Sequence, residues 1–112
     1  MQRVFAFYRL THGPEGPHGL IDALRSTLAP SHLDHGCRSA RVFREADDSG
    51  GVLLVEEWAT PADLERHIRT PSFRRVLAVL ELSRTAPDVV YVEGARVRGL
   101  EWIAEVLGRS DS

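Results

Sequence analysis

The stretch that decides the fold runs from Val52 to Leu80, VLLVEEWATPADLERHIRTPSFRRVLAVL. Val52, Leu54, Glu56 and Trp58 fall on one face of a strand, and Leu53, Val55 and Glu57 on the other. Both faces are mostly apolar, so both are expected to be covered. Thr60-Pro61-Ala62-Asp63 then reads as a helix start. Thr60 is the N-cap, Pro61 sits at the first helical position where a missing N–H costs nothing, and Asp63 suits the positive helix end. Leu64, His67 and Ile68 line one face of this helix. Thr70-Pro71-Ser72 repeats the device and starts a second helix, whose stripe is Phe73, Val76, Leu77 and Leu80 with Arg74 and Arg75 outward.

Upstream, Val4 to Thr11 is rich in aromatic and β-branched residues, is bounded by Gly13-Pro14, and reads as a first strand. Its alternate sets, Val4/Ala6/Tyr8/Leu10 and Phe5/Phe7, are again both largely apolar. Leu20, Ile21, Leu24 and Leu28 follow helical spacing, and Pro30 is expected to end that helix. Ser39 to Glu45 is the second strand, and Ala46 to Gly51 a hairpin turn in which Gly50 and Gly51 supply positive φ. Downstream, Val89 to Val92 is the fourth strand, reaching at most Val97. Leu100, Ile103, Ala104 and Leu107 predict a terminal helix stopped by Gly108, with Trp102 off its main stripe; the helix lids the pocket or, the favoured reading, clamps a partner subunit. The order β-α-β-β-α-β plus a helix predicts an α+β, ferredoxin-like fold with an antiparallel sheet. Helices cover one face of such a sheet. A second copy of the chain is the simplest cover for the other, which makes a homodimer the expected assembly.

At 112 residues the chain is one domain with a single core. The net charge of −2 and the absence of a basic stripe argue against nucleic acid as a partner. All 14 basic residues are Arg, so Schiff-base chemistry through Lys is excluded, and the chain has no Asn for catalysis. A single Cys allows no internal disulfide and fits a reducing cytoplasm. The start MQRVFAFYRLTHGP lacks the apolar core of a secretion signal, and no apolar run approaches the roughly 20 residues that span a bilayer, so no membrane association is expected.

Gly36-Cys37, Arg41-Val42-Phe43, Val52 to Trp58 with Glu56, then Leu64, His67 and Pro71-Ser72-Phe73 resemble, in order and spacing, the antibiotic biosynthesis monooxygenase (ABM) domain. The likeness runs from about Val4 to Val92. It implies a dimeric α+β barrel for the domain at residues 1–98; the helical spacing above adds the C-terminal helix at 99–108, and 109–112 reads as a disordered tail. It also implies oxidation of aromatic polyketide intermediates or quinols by dioxygen without metal, flavin or haem. A related branch degrades haem with an Asn, a Trp and a His. The corresponding positions here hold Tyr8, His67 and Leu77, so haem degradation is not expected.

His67, on the buried stripe of its helix, has two readings. It is a base that takes the proton of a phenol or quinol, since histidine changes charge near neutral pH, or it is a core histidine fixing helix to sheet. Glu56, a carboxylate on an apolar face, needs a partner: it orients His67 or pairs with Arg41 on the neighbouring strand. Trp58 offers a flat surface for a planar ligand or plugs the end of the sheet. Phe5, Phe7, Tyr8, Phe43, Phe73 and Tyr91 are candidates for an aromatic substrate pocket, or plain core. His32, Asp34, His35 and Cys37 have a spacing compatible with a metal, but a short solvated loop is the favoured reading and no metal site is assigned. The expected activity is a cofactor-independent monooxygenation of a planar phenolic, quinol or polyketide-like substrate. The alternative is a homodimer that binds small molecules without catalysis.

Overall fold

A computed structural model describes residues 3–33, 35–47, 49–94 and 96–109, with the backbone alone at 29–33 and 96. The elements are β1 (Val4–Thr11), α1 (His18–Leu33), β2 (Cys37–Arg44), β3 (Gly51–Trp58), α2 (Pro61–Ile68), α3 (Pro71–Leu80), β4 (Asp88–Glu93), β5 (Arg96–Arg98) and α4 (Glu101–Gly108). They build the predicted α+β fold, an antiparallel sheet in the order β2-β3-β1-β4-β5. The helices pack on one face.

Register fixes which side chains meet. Ala6 on the central strand lies opposite both Glu56 of β3 and Tyr91 of β4. Its single methyl leaves space on the core face for those two large neighbours. The same row continues to Ala40 at one edge and to Arg98 at the other. The core face carries Val4, Ala6, Tyr8, Leu10, Val52, Leu54, Trp58, Val89 and Tyr91, all buried beneath α1 to α4. On the far face, Phe5 is 36% exposed and Phe43 48%, while Phe7, Leu53, Val55, Val90 and Val92 are half-buried.

The two Thr-Pro starts form as the sequence predicts. The Asp63 backbone N–H donates to Thr60 Oγ1 at 3.1 Å, and that of Phe73 to Thr70 Oγ1 at 3.3 Å. Each cap satisfies one of the orphan donors at a helix start, an effect of about 1 kcal/mol. Helix α4 has Leu100 at its start and no side-chain cap.

Several boundaries differ from the sequence reading. Helix α1 continues through Pro30 to Leu33. The carbonyl that Pro30 leaves without a donor belongs to exposed Ser26, where water can serve it. In the β2–β3 hairpin only Gly50 takes a positive φ, 78°. At Gly51 φ is not positive; a Cβ there would meet the Glu45 carboxylate, the movable end of a flexible side chain. A fifth strand follows a turn at Gly94 (φ 56°). In α4 the buried residues are Trp102, Ile103 and Val106, while Leu100 and Leu107 are about half exposed, at 51% and 50%. The indole outweighs the leucine stripe because it removes far more apolar surface from water. No helix among the described residues is long and apolar enough to cross a membrane.

Candidate functional site

Two acidic or basic side chains lie fully inside the core, Glu56 (0% exposed) and His67 (1%). Glu56 points inward because the pleat puts it on the face of Leu54 and Trp58. It accepts a hydrogen bond at 3.2 Å from Trp58 Nε1, and both atoms are buried. The Trp58 ring lies against the His67 imidazole, with centroids 4.5 Å apart and planes inclined by 32°. His67 reaches this point from the third turn-face position of α2, whose buried stripe also holds Asp63, Leu64 and Ile68. Arg41 does not approach Glu56. It is exposed and lies opposite Val55 in the ladder, on the other face of the sheet.

The cluster extends as a row of rings. Phe73 meets His67 edge to face at 5.5 Å, and Tyr8 packs on Phe73 at 6.4 Å. Tyr91 stands perpendicular to Tyr8 at 5.7 Å, with the two hydroxyls hydrogen-bonded at 2.9 Å. Trp102 of α4 closes the row against Tyr91 at 5.0 Å. Burial holds the Tyr8 hydroxyl well above the usual phenol range, and negative charge on Tyr91 or Glu56 would push it further the same way. Burial also raises Tyr91; its bond with Tyr8 offsets part of that and Glu56 adds to it. Both tyrosines are therefore neutral phenols at neutral pH, and one of the two hydroxyl protons is donated in the bond between them.

Of the residues singled out from sequence, the structure brings together Glu56, Trp58, His67, Tyr8, Phe73 and Tyr91. It puts Phe5, Phe7 and Phe43 on the opposite face of the sheet, away from this cluster, with Phe5 and Phe7 stacked at 6.4 Å. The side chains of His32 and Asp34 lie outside the described residues. Among the described residues no group of three His, Cys, Asp or Glu is placed to hold a metal. Cys37 is half-buried, with Sγ 3.7 Å from the Ser39 carbonyl.

Two small cavities flank the row. One, of about 50 Å³, is lined by His35, Asp63, Arg66, His67 and Thr70 and gives His67 a second side away from Trp58. Its wall depends on Gly36: φ is 89°, and a Cβ would come within 2.3 Å of the Asp63 carboxyl. Asp63 is held in turn by Arg66 Nη1 at 3.0 Å. The other cavity, of about 10 Å³, is lined by Val4, Pro61, Tyr91, Glu93, Arg98 and Trp102. Reading the sequence alone misses Arg98 and Trp102. The usable signal is the bulk of Trp102, which outweighs a cleaner leucine period.

The profile of the antibiotic biosynthesis monooxygenase family matches residues 1–79. The chain belongs to that family. Solved structures of the same fold include Rv0793 from Mycobacterium tuberculosis, at TM-score 0.70 and 24% identity, covering 80% of this chain and 92% of that one. PA3566 from Pseudomonas aeruginosa gives TM-score 0.70 and 24% identity over 86% of this chain and 97% of its own. A crystal structure of an antibiotic biosynthesis monooxygenase gives TM-score 0.68 and 21% identity, over 83% and 99%. No curated protein matches the chain. The ABM match takes in β1 to β3 and most of α3, hence Glu56, Trp58, His67, Tyr8 and Phe73. Tyr91, Arg98 and Trp102 lie beyond it.

Proposed function

We propose that this ABM-family chain is a cofactor-independent monooxygenase acting with dioxygen on a planar phenolic, quinol or polyketide-like substrate. The observation that carries the reading is the buried acid–indole–imidazole group. Glu56, Trp58 and His67 sit together in an apolar core, where an ionisable pair is costly unless it serves a purpose. His67 takes the substrate proton, Glu56 positions the Trp58–His67 pair, and Trp58, Tyr8, Phe73 and Tyr91 pack the ring. The substrate anion gives one electron to dioxygen. The radical pair combines to a peroxide anion that takes the proton back from His67; the carbon then loses its remaining hydrogen as the O–O bond breaks, leaving one oxygen as a new carbonyl and releasing the other as water.

A ring system of two or three fused cycles exceeds either interior cavity, so binding requires an element to yield. Helix α4, which lacks a side-chain cap and rests on α2, is that element. A second copy of the chain covers the far face of the sheet, where Phe5 and Phe43 are exposed, and Phe5, Phe7 and Phe43 serve that dimer contact. The chain works in the cytoplasm, in keeping with its single thiol.

The test is oxygen uptake by purified, metal-free protein against a panel of hydroquinones and anthrones, with His67→Ala alongside. Uptake that drops at least about a hundredfold in the variant while the fold persists supports a base role. The competing reading is a dimer that binds small molecules without turnover, in which His67 is a core histidine fixing helix to sheet. Ligand binding with no oxygen uptake on any substrate, in wild type and variant alike, would establish it.

A further inference from the structure

Trp102 is 97% buried by its 3% exposure, and its Nε1 has no hydrogen-bond acceptor among the described residues. A buried donor left without a partner is uncommon and costly, so it requires an explanation. Three neighbouring features supply one. Trp102 lines a cavity of about 10 Å³, the space of a single oxygen atom or water. The Arg98 guanidinium lies over the indole with Cζ 5.2 Å from the ring centroid, and Arg98 forms no ion pair among the described residues. Glu93 lines the same cavity, so its carboxylate offsets the guanidinium charge.

We propose that Trp102 and Arg98 form an oxygen subsite, in which the indole N–H donates to a ring carbonyl of the planar aromatic ligand. This rests on the oxygenase reading for the ligand's class and adds the residues that select it. The near-neutral Arg98–Glu93 surround disfavours a free phosphate or a carboxylate and suits a neutral carbonyl oxygen, with Arg98 near enough to share it. The site follows from the sequence in order. β4 and β5 turn at Gly94, the ladder pairs Arg98 with Tyr91 on the core face, and α4 then folds Trp102 between them. The row of rings thus has a hydrogen-bond donor for the ligand at the end opposite His67.

The experiment uses full-length protein with 9,10-anthraquinone-2-sulfonate and its carbonyl-free counterpart anthracene-2-sulfonate. Calorimetry gives the two affinities. The chain has two Trp, so its indole N–H region of an amide-type NMR spectrum holds two signals, assigned with Trp102→Phe. The expected result is that wild type prefers the quinone by about tenfold, a preference the phenyl variant loses while its affinity for the anthracene is kept. In wild type the Trp102 signal moves downfield with the quinone and stays with the anthracene, a readout that does not depend on the variant folding. Arg98→Gln lowers quinone affinity by a smaller factor. An undiminished quinone preference in Trp102→Phe, or a Trp102 signal that does not move, overturns the subsite. If that occurs while oxygen uptake still depends on His67, the oxygenase reading survives; if the quinone binds through Trp102 with no oxygen uptake, the subsite survives alone.

Discussion

The two tryptophans sit at opposite ends of one row of buried rings and have been treated differently by the fold. Trp58 stands on β3, inside the family match, with its N–H given to Glu56 and its ring on His67. Trp102 stands on an uncapped helix beyond that match, equally buried, with no acceptor for its N–H among the described residues. A donor already bonded to a fixed carboxylate serves architecture and positions its neighbours. A buried donor without a protein acceptor, on a residue that lines an oxygen-sized space, is suited to something that arrives. The difference separates the part of the site that the sheet holds rigid from the part that can exchange partners.

The comparison breaks most severely at Phe73, the ring that links His67 to Tyr8. Phe73→Ala removes contacts on both sides and should lower stability by about 3–5 kcal/mol in urea unfolding. A loss below about 1 kcal/mol would mean that the rings are not one packed unit. Next comes the direct contrast. Trp58→Phe and Trp102→Phe lose similar ring volume, but only the first breaks a buried hydrogen bond, that of Nε1 to Glu56. Trp58→Phe should therefore cost about 1–3 kcal/mol more than Trp102→Phe. Equal losses would erase the distinction between the two ends.

Much of this was legible in the sequence, and the failures share a cause. The strand faces, the Thr-Pro caps and the meeting of Glu56, Trp58 and His67 follow from periods of two and of helical spacing, which backbone geometry imposes. The end of α1, the fifth strand and the buried face of α4 do not. Pro30 forbids one hydrogen bond but not a helix whose affected carbonyl faces water. Arg96–Arg98 is too short to carry a strand pattern. In α4, spacing pointed to Leu100, Ile103, Ala104 and Leu107, whereas burial follows area and took Trp102 and Val106 with Ile103. The aromatic candidates divided for the same reason: Tyr8 and Tyr91 occupy core-facing positions, while Phe5, Phe7 and Phe43 occupy the alternate ones.

A smaller effect is expected in the middle of the row. The raised folded-state values of Tyr8 and Tyr91 mean that the folded protein keeps these protons longer than the unfolded chain. The associated stability is fully present below pH of about 10, the ordinary tyrosine value, and is lost as pH rises above it. Melting temperatures from pH 9 to 12 should fall more steeply for wild type than for a Tyr8→Phe/Tyr91→Phe double variant; parallel curves would show that the pair does not couple to folding. The smallest change is at the capped helices. Thr70→Ala should cost about 1 kcal/mol in urea unfolding, because it removes the oxygen that caps α3; an unchanged midpoint would show that the cap is not formed in solution.

The most direct test of the central claim is product labelling under ¹⁸O₂ with an anthrone that supports uptake. The expected result is one ¹⁸O atom in the new carbonyl, the second recovered as labelled water, and no labelled product from His67→Ala. Product oxygen drawn from solvent, two labelled atoms in the product, or labelling that persists without His67 would contradict it.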